Sequence, residues 1–468
     1  MTMLSVAAAA AAIRNRTITA RDLVEQCLEA IDRHNPSLNA FVHLDTVGAR
    51  SRADATDAAL QRGDDLGPLA GVPFGVKDLE DCAGMPTTQG SRWYQGQPPA
   101  SNDDSHVARL RAAGANPIGK TATPEFGTWA YTTSPALGVT RNPWNASCTP
   151  GGSSGGSSAA VSAGLVPFCT ASDGGGSIRT PAGFTGLVGL KTTYGRIPGL
   201  NRTVTAQNSV VGSLTTTVED TALLLDIMAG PDARDRVCLP HPTIRYADAL
   251  HDLDVRGLRA TFTPDFGFAI VDAEVVAIAR AAARAIAVAS GLQWVDVDIQ
   301  FDDWVPTYAR MEGIDMFMGR DRALWETRLD ELDPLVAPGW ASAQRITLPK
   351  LAAVYDRRFA YEQQVATLYN DVDIVFSPTS AITAFAAEGP MPTTVCGVET
   401  HAGMAVPHAM LANLVNLPAI SIPAGSHSNG MPVGLHAMAP RYREEICLRL
   451  AKIAESTNPW PRFAPMSS

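Results

Sequence analysis

The chain has 468 residues, of which 46% are hydrophobic and 18% are charged, so it can fill a large core and is not expected to be disordered. It carries 37 basic and 47 acidic residues, a formal net charge of −10, and the basic residues form no cluster along the sequence. A basic face for nucleic acid is therefore not expected.

The N-terminal stretch from Met1 to Ile13 is apolar and rich in alanine, and the first basic residue, Arg14, follows it. A secretory signal carries its basic residues first, so an amphipathic helix is the better interpretation. No run of about 18 apolar residues lacks charges and helix breakers, which argues against a membrane span. The seven cysteines are scattered, without CxxC pairs or Cys/His clusters at metal-ligand spacing. We therefore expect a cytoplasmic protein with reduced thiols and no bound metal.

The first part of the chain, residues 1–65, predicts a helical N-terminal layer. Thr19 followed by Asp22 resembles an N-cap with an acidic first turn, and apolar residues then recur at helical spacing. Residues 66–235 consist of short apolar runs broken by Gly and Pro. This alternation of strand-like and helical segments predicts β-α-β units and a largely parallel or mixed sheet.

The second half of the chain predicts a helical excursion over residues 236–370, with a strand–helix–strand segment inside it at 255–300. Residues 371–468 then predict two core strands and a final helix. No internal repeat or clear linker interrupts this pattern. We therefore expect one α/β domain over residues 1–468.

Two stretches between residues 149 and 200 are dominated by Gly and Ser, and both run directly into apolar sequence, which is not typical of a flexible linker. The first matches the GxSxG nucleophile elbow of α/β-hydrolases at Ser153 and again at Ser154. The match is weak, because a loop of Gly and Ser satisfies it by composition. The elbow also needs a histidine base, and no candidate histidine is marked by its context. The candidates are His401, His408, His427 and His436.

The second stretch contains SDGGGSIR, in which three glycines precede Ser177. Glycine tolerates the positive φ that lets successive backbone N–H groups converge on one point. Such a concave row of donors is what a tetrahedral oxyanion needs, and Ser177 would lie at its end. The segment is therefore a candidate nucleophile loop.

A nucleophilic serine needs a base, and Lys77 is a candidate because it lies in the apolar, strand-like segment GVPFGVKD. Burial disfavours the charged form of lysine and lowers its pKa towards neutrality. Asp78, Glu80 and Asp81 argue the other way, since a nearby carboxylate would keep the amine charged. On an extended chain Asp78 points to the opposite face, which reduces the conflict.

Five segments, in the expected order and across nearly the whole chain, resemble the amidase signature family. They are LAGVPFGVKDLEDCAGMPTTQGS (69–91), RLRAAGANPIGKTATPEFG (109–127), TRNPWNASCTPGGSSGGSSAAVSAGLVP (140–167), ASDGGGSIRTPAGFTGLVGLKTTYGRIP (171–198) and NLPAISIPAGSHSNGMPVGLHAMAP (416–440). The resemblance implies an α/β/α sandwich around one large, mostly parallel mixed β-sheet.

The resemblance also implies a catalytic triad of serine, cis-serine and lysine. Lys77 matches the base of the family, Ser153 matches the bridging serine that follows a cis peptide bond, and Ser177 matches the nucleophile. The backbone that matches the oxyanion hole belongs to Gly174, Gly175, Gly176 and Ser177. Three positions depart from the family pattern: Ala122 stands where Asn is usual, Ser172 where Thr is usual, and Gly174 where an aliphatic residue is frequent. Asp173 and Arg179 flank the nucleophile loop, and we expect them to support it by hydrogen bonds.

The activity that the resemblance implies is hydrolysis of a carboxamide C–N bond through an acyl-enzyme, with a small-molecule amide as substrate and no cofactor. One alternative is the glutaminase subunit of a tRNA-dependent amidotransferase, which shares the triad and passes ammonia to a partner. Another is a non-catalytic binding protein with the same fold. The triad does not separate the first two. The oligomeric state stays open, with a homodimer as one alternative.

The substrate is not determined by these motifs. Aromatic and methionine side chains could form an apolar substrate pocket, and helical core packing explains them equally well. These candidates are Trp129, Tyr131, Trp304, Met311 and Met316.

Overall fold

The computed structural model describes residues 2–199, 207–318 and 322–466. Its strands are β1 Phe41–Leu44, β2 Pro73–Lys77, β3 Asn116–Thr121, β4 Thr133–Ser134, β5 Gly138–Val139, β6 Phe168–Asp173, β7 Val188–Lys191, β8 Val210–Thr215, β9 Arg259–Phe262, β10 Gln293–Trp294, β11 Ile374–Pro378, β12 Thr394–Val395, β13 Val398–Glu399, β14 Ala419–Ser426 and β15 Pro432–Met438.

The helices pack against this set of strands and against one another. They are α1 Val6–Arg14, α2 Ala20–Leu38, α3 Thr46–Arg62, α4 Ser105–Ala112, α5 Gly155–Ser162, α6 Arg179–Thr185, α7 Val218–Met228, α8 Tyr246–Asp252, α9 Ala273–Ser290, α10 Val305–Met318, α11 Arg322–Thr327, α12 Ala337–Ala343, α13 Leu348–Asp371, α14 Met410–Leu414 and α15 Glu444–Thr457. Among the described residues, no helix is both long enough and apolar enough to cross a membrane.

One sheet of 11 strands organises the fold, in the order β1-β3-β2-β6-β8-β7-β14-β15-β11-β9-β10. The mixed α/β sheet expected from the sequence is confirmed, but parallel pairing does not dominate in the described chain. Four neighbouring pairs are parallel and six are antiparallel. Two features of the chain give three of these six antiparallel pairs. The loop 427–431 between β14 and β15 is too short for a parallel crossover, and β8 lies antiparallel between β6 and β7.

The N-terminal layer contains the predicted helices and one strand that the sequence analysis missed. Thr19 caps α2, and its side chain forms a reciprocal capping box with Asp22, as its sequence pattern predicts. Residues Phe41–Leu44 instead form β1, which pairs antiparallel with β3 at the edge of the sheet. A four-residue run is too short to show a period, and its pairing with β3 is a long-range contact.

The segment 255–300 has the predicted order of strand, helix and strand. β9 and β10 pair in parallel at the far edge of the sheet, and α9 connects them. The helices α10 to α13 follow, so the range 236–370 contributes both to the sheet and to a helical layer.

The parallel pairing of β2 with β6 positions the chemically interesting residues. Lys77 is the last residue of β2, and Asp173 is the last residue of β6. Because parallel strands end at the same edge of a sheet, both residues lie at one edge. This is the edge at which open α/β sheets bind ligands.

Candidate active site

Lys77 is completely buried at the end of a strand whose five residues are all buried. Its backbone N–H donates to the Thr170 Oγ1 on β6 at 2.9 Å, which fixes the end of β2 against its neighbour. The side chain therefore starts from a rigid position at the sheet edge.

The Lys77 amine lies among three serine hydroxyls. Its Nζ is 2.8 Å from the Ser153 Oγ, 2.8 Å from the Ser154 Oγ and 2.9 Å from the Ser172 Oγ. The Ser154 hydroxyl donates to the Ser172 carbonyl at 3.2 Å, so it can only accept from the amine. Within the described chain the Ser153 hydroxyl has no other partner. Its hydrogen can therefore point at the lone pair of a neutral amine.

The carboxylates near Lys77 in sequence are directed elsewhere. Asp78 lies 3.5 Å from the Lys120 Nζ, and Glu80 lies 3.0 Å from the His106 Nε2. Among the described residues no acid forms an ion pair with Lys77, so its amine is not held in the charged form by direct contact. Burial lowers the pKa of Lys77 to about 7, although Glu80 and Asp173 act in the opposite direction.

Ser153 lies in the Gly/Ser loop before α5, and the Gly152–Ser153 peptide bond is cis. The Ser154 N–H donates to the Ser177 carbonyl at 3.3 Å, which joins this loop to the predicted nucleophile loop. The two Gly/Ser stretches of the sequence therefore meet beside the Lys77 amine.

Ser177 lies between β6 and α6 and is partly exposed. Within the described chain its hydroxyl makes no hydrogen bond, so the oxygen is available to a bound molecule. The backbone N–H groups of Gly174, Gly175 and Ser177 likewise have no partner among the described residues. These three donors belong to the same short loop as the Ser177 hydroxyl.

Gly176 differs from the expectation for the oxyanion hole. Its N–H donates to the Asp173 Oδ1 at 2.7 Å, so this donor is already engaged. Gly176 has a φ of +118°, which favours glycine, and its role is to turn the chain. The hydrogen bond from the Gly176 N–H to Asp173 forms only in the folded loop, so nothing in the sequence indicated it. The sequence analysis therefore assigned this N–H to the oxyanion hole.

A buried ionic network supports the nucleophile loop from below. Arg179 makes two contacts with the Asp173 carboxylate, at 3.0 Å and 2.9 Å, and its Nη1 lies 2.8 Å from the His436 Nε2. Asn413 bonds both Asp173 and Arg179. Burial opposes ionisation of Asp173, but Arg179 outweighs it and holds the pKa of that carboxyl well below its usual range. These contacts agree with the expected supporting role of Asp173 and Arg179.

The structure corrects most of the predicted apolar substrate pocket. Trp304 is fully buried among Phe266, Phe268 and Phe301, and its Nε1 donates to the Pro407 carbonyl at 3.0 Å. Met311 and Tyr131 are also buried, at 3% and 2% exposure, in the same hydrophobic cluster. These three residues fill the core, because aromatic and Met side chains pack between elements as readily as they line a cavity.

Trp129 and Met316 are the two pocket candidates that remain partly exposed. Trp129 stacks on Tyr131 with ring centroids 6.2 Å apart. A methyl group on Gly152 would overlap the backbone carbonyl of Trp129, so the backbone of this segment lies directly against the Ser153 loop. Met316 packs on a separate cluster that contains Trp93 and Phe126, and its Sδ lies 3.5 Å from the Thr128 Oγ1.

Helix α10 contributes two residues that the sequence analysis did not assign to the site. A methyl group on Gly175 would overlap the Tyr308 hydroxyl, and one on Gly174 would lie 3.7 Å from the Glu312 Oε1. Tyr308 and Glu312 are four residues apart, so both lie on the helix face above the nucleophile loop. The i, i+4 spacing was visible in the sequence, but nothing in it placed α10 against this loop.

No group of three or more His, Cys, Asp and Glu side chains in the described parts of the chain is arranged to hold a metal ion. The two Gly/Ser loops and Lys77 instead contribute hydroxyls, one amine and backbone N–H groups, with the Glu312 carboxyl next to Gly174. This set of groups is suited to attack on a carbonyl and stabilisation of the resulting oxyanion.

Comparison with known proteins gives a consistent result. The chain is 34% identical to an acylamidase of Rhodococcus erythropolis, over 99% of this chain and 98% of the relative. It is also 34% identical to one subunit of the glutamyl-tRNA(Gln) amidotransferase of Chloroflexus aggregans, with the same coverage of both chains. A crystal structure of a bacterial aryl acylamidase of the amidase signature family superposes with a TM-score of 0.91 at 26% identity, covering 98% of this chain and 97% of that one.

The profile of the Amidase family matches residues 22–448, which is most of the chain. The match includes both Gly/Ser loops, the strand that carries Lys77 and the supporting network of Asp173. The chain therefore belongs to the amidase signature family of hydrolases.

Proposed function

We propose that this protein is a serine amidohydrolase that cleaves a carboxamide C–N bond through an acyl-enzyme on Ser177. The observation that carries the proposal is the buried Lys77 amine, 2.8 Å from the Ser153 hydroxyl and without an acidic partner in the described chain. A lysine whose pKa is near 7 can act as a base at neutral pH.

In the proposed acylation step, neutral Lys77 takes a proton from Ser153, and Ser153 takes one from Ser177. The Ser177 oxygen attacks the amide carbon, and its electron pair forms the new C–O bond while the carbonyl oxygen becomes an oxyanion. The N–H groups of Gly174, Gly175 and Ser177 stabilise this charge.

The tetrahedral intermediate then collapses, and the C–N bond breaks. The relay returns its proton to the leaving nitrogen, which departs as ammonia or an amine. In deacylation, water attacks the Ser177 ester and gives up a proton to the same relay. The ester bond to Ser177 breaks, the proton returns to the serine oxygen, and the carboxylic acid leaves.

The comparisons also support a second candidate, the glutaminase subunit of a tRNA-dependent amidotransferase, because the amidotransferase relative is as similar to this chain as the acylamidase is. The two candidates share the chemistry on Ser177 and differ in substrate and partner. Glutamine as the single good substrate, together with co-purification of a partner protein, would favour the second candidate. Hydrolysis of a range of amides by the isolated chain favours the first.

The test of the shared chemistry is labelling with a fluorophosphonate followed by peptide mass spectrometry. We expect one adduct at Ser177, and loss of both the adduct and amide hydrolysis in Ser177→Ala. Ser101→Ala is the matched control, since Ser101 is exposed and lies outside both Gly/Ser loops, and it should behave as wild type. An adduct at another serine, or full activity in Ser177→Ala, would refute the assignment and revive a non-catalytic role.

A further inference from the structure

Helix α10 places a carboxylate over the predicted nucleophile loop. Glu312 is partly exposed, and a methyl group on Gly174 would lie 3.7 Å from its Oε1. Tyr308, one turn earlier on the same helix, packs so closely on Gly175 that a methyl group there would overlap its hydroxyl. The two side chains therefore pack against the backbone of Gly174 and Gly175.

The Glu312 carboxylate has neutral partners. Its Oε1 accepts a hydrogen bond from the Asn208 Nδ2 at 2.8 Å, and the Asn208 carbonyl accepts one from Asn413. This chain of bonds fixes the carboxylate to the network beneath the loop. Across the described residues, no Lys, Arg or His forms an ion pair with Glu312. The carboxyl group is thus held in position by neutral partners, and when it is ionised no cationic side chain of the described residues compensates its charge.

An uncompensated carboxylate at this position conflicts with the chemistry proposed for the site. The tetrahedral intermediate is an anion held by the N–H groups of Gly174, Gly175 and Ser177, and a nearby negative charge destabilises it. Burial raises the pKa of Glu312 to about 7, and Asp315 acts in the same direction, so the free site favours the neutral carboxyl at pH values below 7. A cation bound beside Glu312 favours the ionised carboxyl and compensates its charge.

That cation can come from the acyl part of the substrate. The leaving nitrogen has to face Ser153, because the proposed relay delivers its proton from that side. The acyl group stays attached to Ser177 through both steps and lies on the loop that Glu312 covers. An ammonium group on the acyl chain would therefore meet Glu312.

We propose that Glu312 is a specificity-determining residue that binds a protonated amino group on the acyl part of the substrate, and hence that the preferred substrates are amides of amino-bearing carboxylic acids. This inference rests on the proposed function of Ser177. Tyr308 and Asn208 act with Glu312 by holding its carboxylate over the loop.

The experiment measures how well matched amides protect Ser177 from the fluorophosphonate. The pairs are hexanamide with 6-aminohexanamide, butanamide with 4-aminobutanamide, and propanamide with 3-aminopropanamide. For at least one pair, we expect the amino member to protect Ser177 of wild type at a concentration at least tenfold lower than its unsubstituted partner needs. The ratio of these two concentrations is the quantity compared between variants. In Glu312→Gln that ratio should fall close to one, whereas Glu312→Asp should retain part of it. Glu326→Gln, which neutralises an exposed acid on α11, should keep the wild-type ratio.

The outcomes separate this inference from the function on which it rests. Equal protection by both members of every pair in wild type, or no protection at all, overturns the inference and leaves the labelling of Ser177 intact. A preference that survives unchanged in Glu312→Gln overturns it too. If Glu312→Gln does not fold, the wild-type ratios and Glu312→Asp decide. Absence of any label on Ser177 would refute the proposed function itself, and this inference with it.

Discussion

The Lys77 Nζ lies 2.8 Å from the Ser153 Oγ at the end of a fully buried strand. The acids adjacent in sequence are drawn away from this amine, Asp78 towards Lys120 and Glu80 towards His106. The arrangement keeps a buried lysine in contact with neutral groups, three serine hydroxyls and the Ser172 carbonyl, which is the condition under which it can lose its proton near neutral pH.

Replacing Glu80 with Gln should shift the pH dependence of amide hydrolysis towards acid. The Glu80 carboxylate raises the pKa of Lys77, so its removal lowers that pKa and leaves more neutral amine at pH 6. The acid limb of the kcat/KM profile should move to lower pH, so that activity at pH 6 becomes a larger fraction of the plateau. Glu80→Asp keeps the charge and is the control. A limb that stays in place, or moves to higher pH, would show that Glu80 does not act on Lys77.

Replacing Gly175 with Ala should impair both stability and activity. The added methyl group would overlap the Tyr308 hydroxyl, so the loop or α10 has to move, at a cost of about 1–3 kcal/mol. Because the Gly175 N–H is one of the proposed oxyanion donors, we expect kcat/KM to fall by more than about tenfold. Gly339→Ala is the control, since no atom lies within 4 Å of its added methyl group. Wild-type kinetics in Gly175→Ala would argue against the proposed oxyanion hole.

Asp173→Asn should destabilise the protein strongly. It leaves the buried Arg179 without a counter-charge, and breaking a buried pair in this way costs about 3–5 kcal/mol. The folded-state pKa of Asp173 is depressed, so its contribution is present above the ordinary carboxyl pKa and is lost on acidification. Denaturant unfolding at pH 7 measures the effect. Asp254→Asn, which removes an exposed ion pair with Arg256, should leave the midpoint near that of wild type.

Trp304 and Trp129 should respond differently to truncation. Trp304→Ala empties a fully buried position and should lower the free energy of unfolding by about 3–5 kcal/mol. Trp129→Ala, at a partly exposed position whose backbone adjoins the Ser153 loop, should raise KM with a smaller loss of stability. Denaturant unfolding and steady-state kinetics on the same two variants separate the roles. A change in KM with unchanged stability for Trp304→Ala would return that residue to the substrate pocket.

The sequence predicted which residues could carry the chemistry of the site better than it predicted which residues surround them in the fold. The apolar segment around Lys77 predicted a buried strand, and three glycines before Ser177 predicted a loop of converging donors. The engagement of Gly176 with Asp173 and the burial of Trp304 could not be predicted, because each depends on contacts made only after folding. The position of Glu312 over Gly174 is of the same kind, since it joins two segments far apart in sequence.

The parallel share of the sheet was overestimated for a related reason. Alternating strands and helices favour parallel pairing. However, β8 pairs antiparallel with both of its neighbours, β6 and β7, and a short loop joins β14 and β15 in an antiparallel hairpin. The edge strand β1 was missed because four residues carry no period. Strand order depends on the path of the whole chain, whereas the spacing of apolar residues describes only one segment at a time.

The most direct test of the central claim is an NMR titration of the Lys77 side chain. The chain has only five lysines, so selective labelling of lysine Cε gives few signals, and the spectrum of Lys77→Arg identifies the one from Lys77. The signal of Lys191 has to be assigned in the same way, from the spectrum of Lys191→Arg, because burial also lowers the pKa of Lys191 to about 7. We predict that the Lys77 signal titrates near pH 7, in step with the acid limb of kcat/KM. A Lys77 amine that stays protonated up to pH 10 would contradict the account.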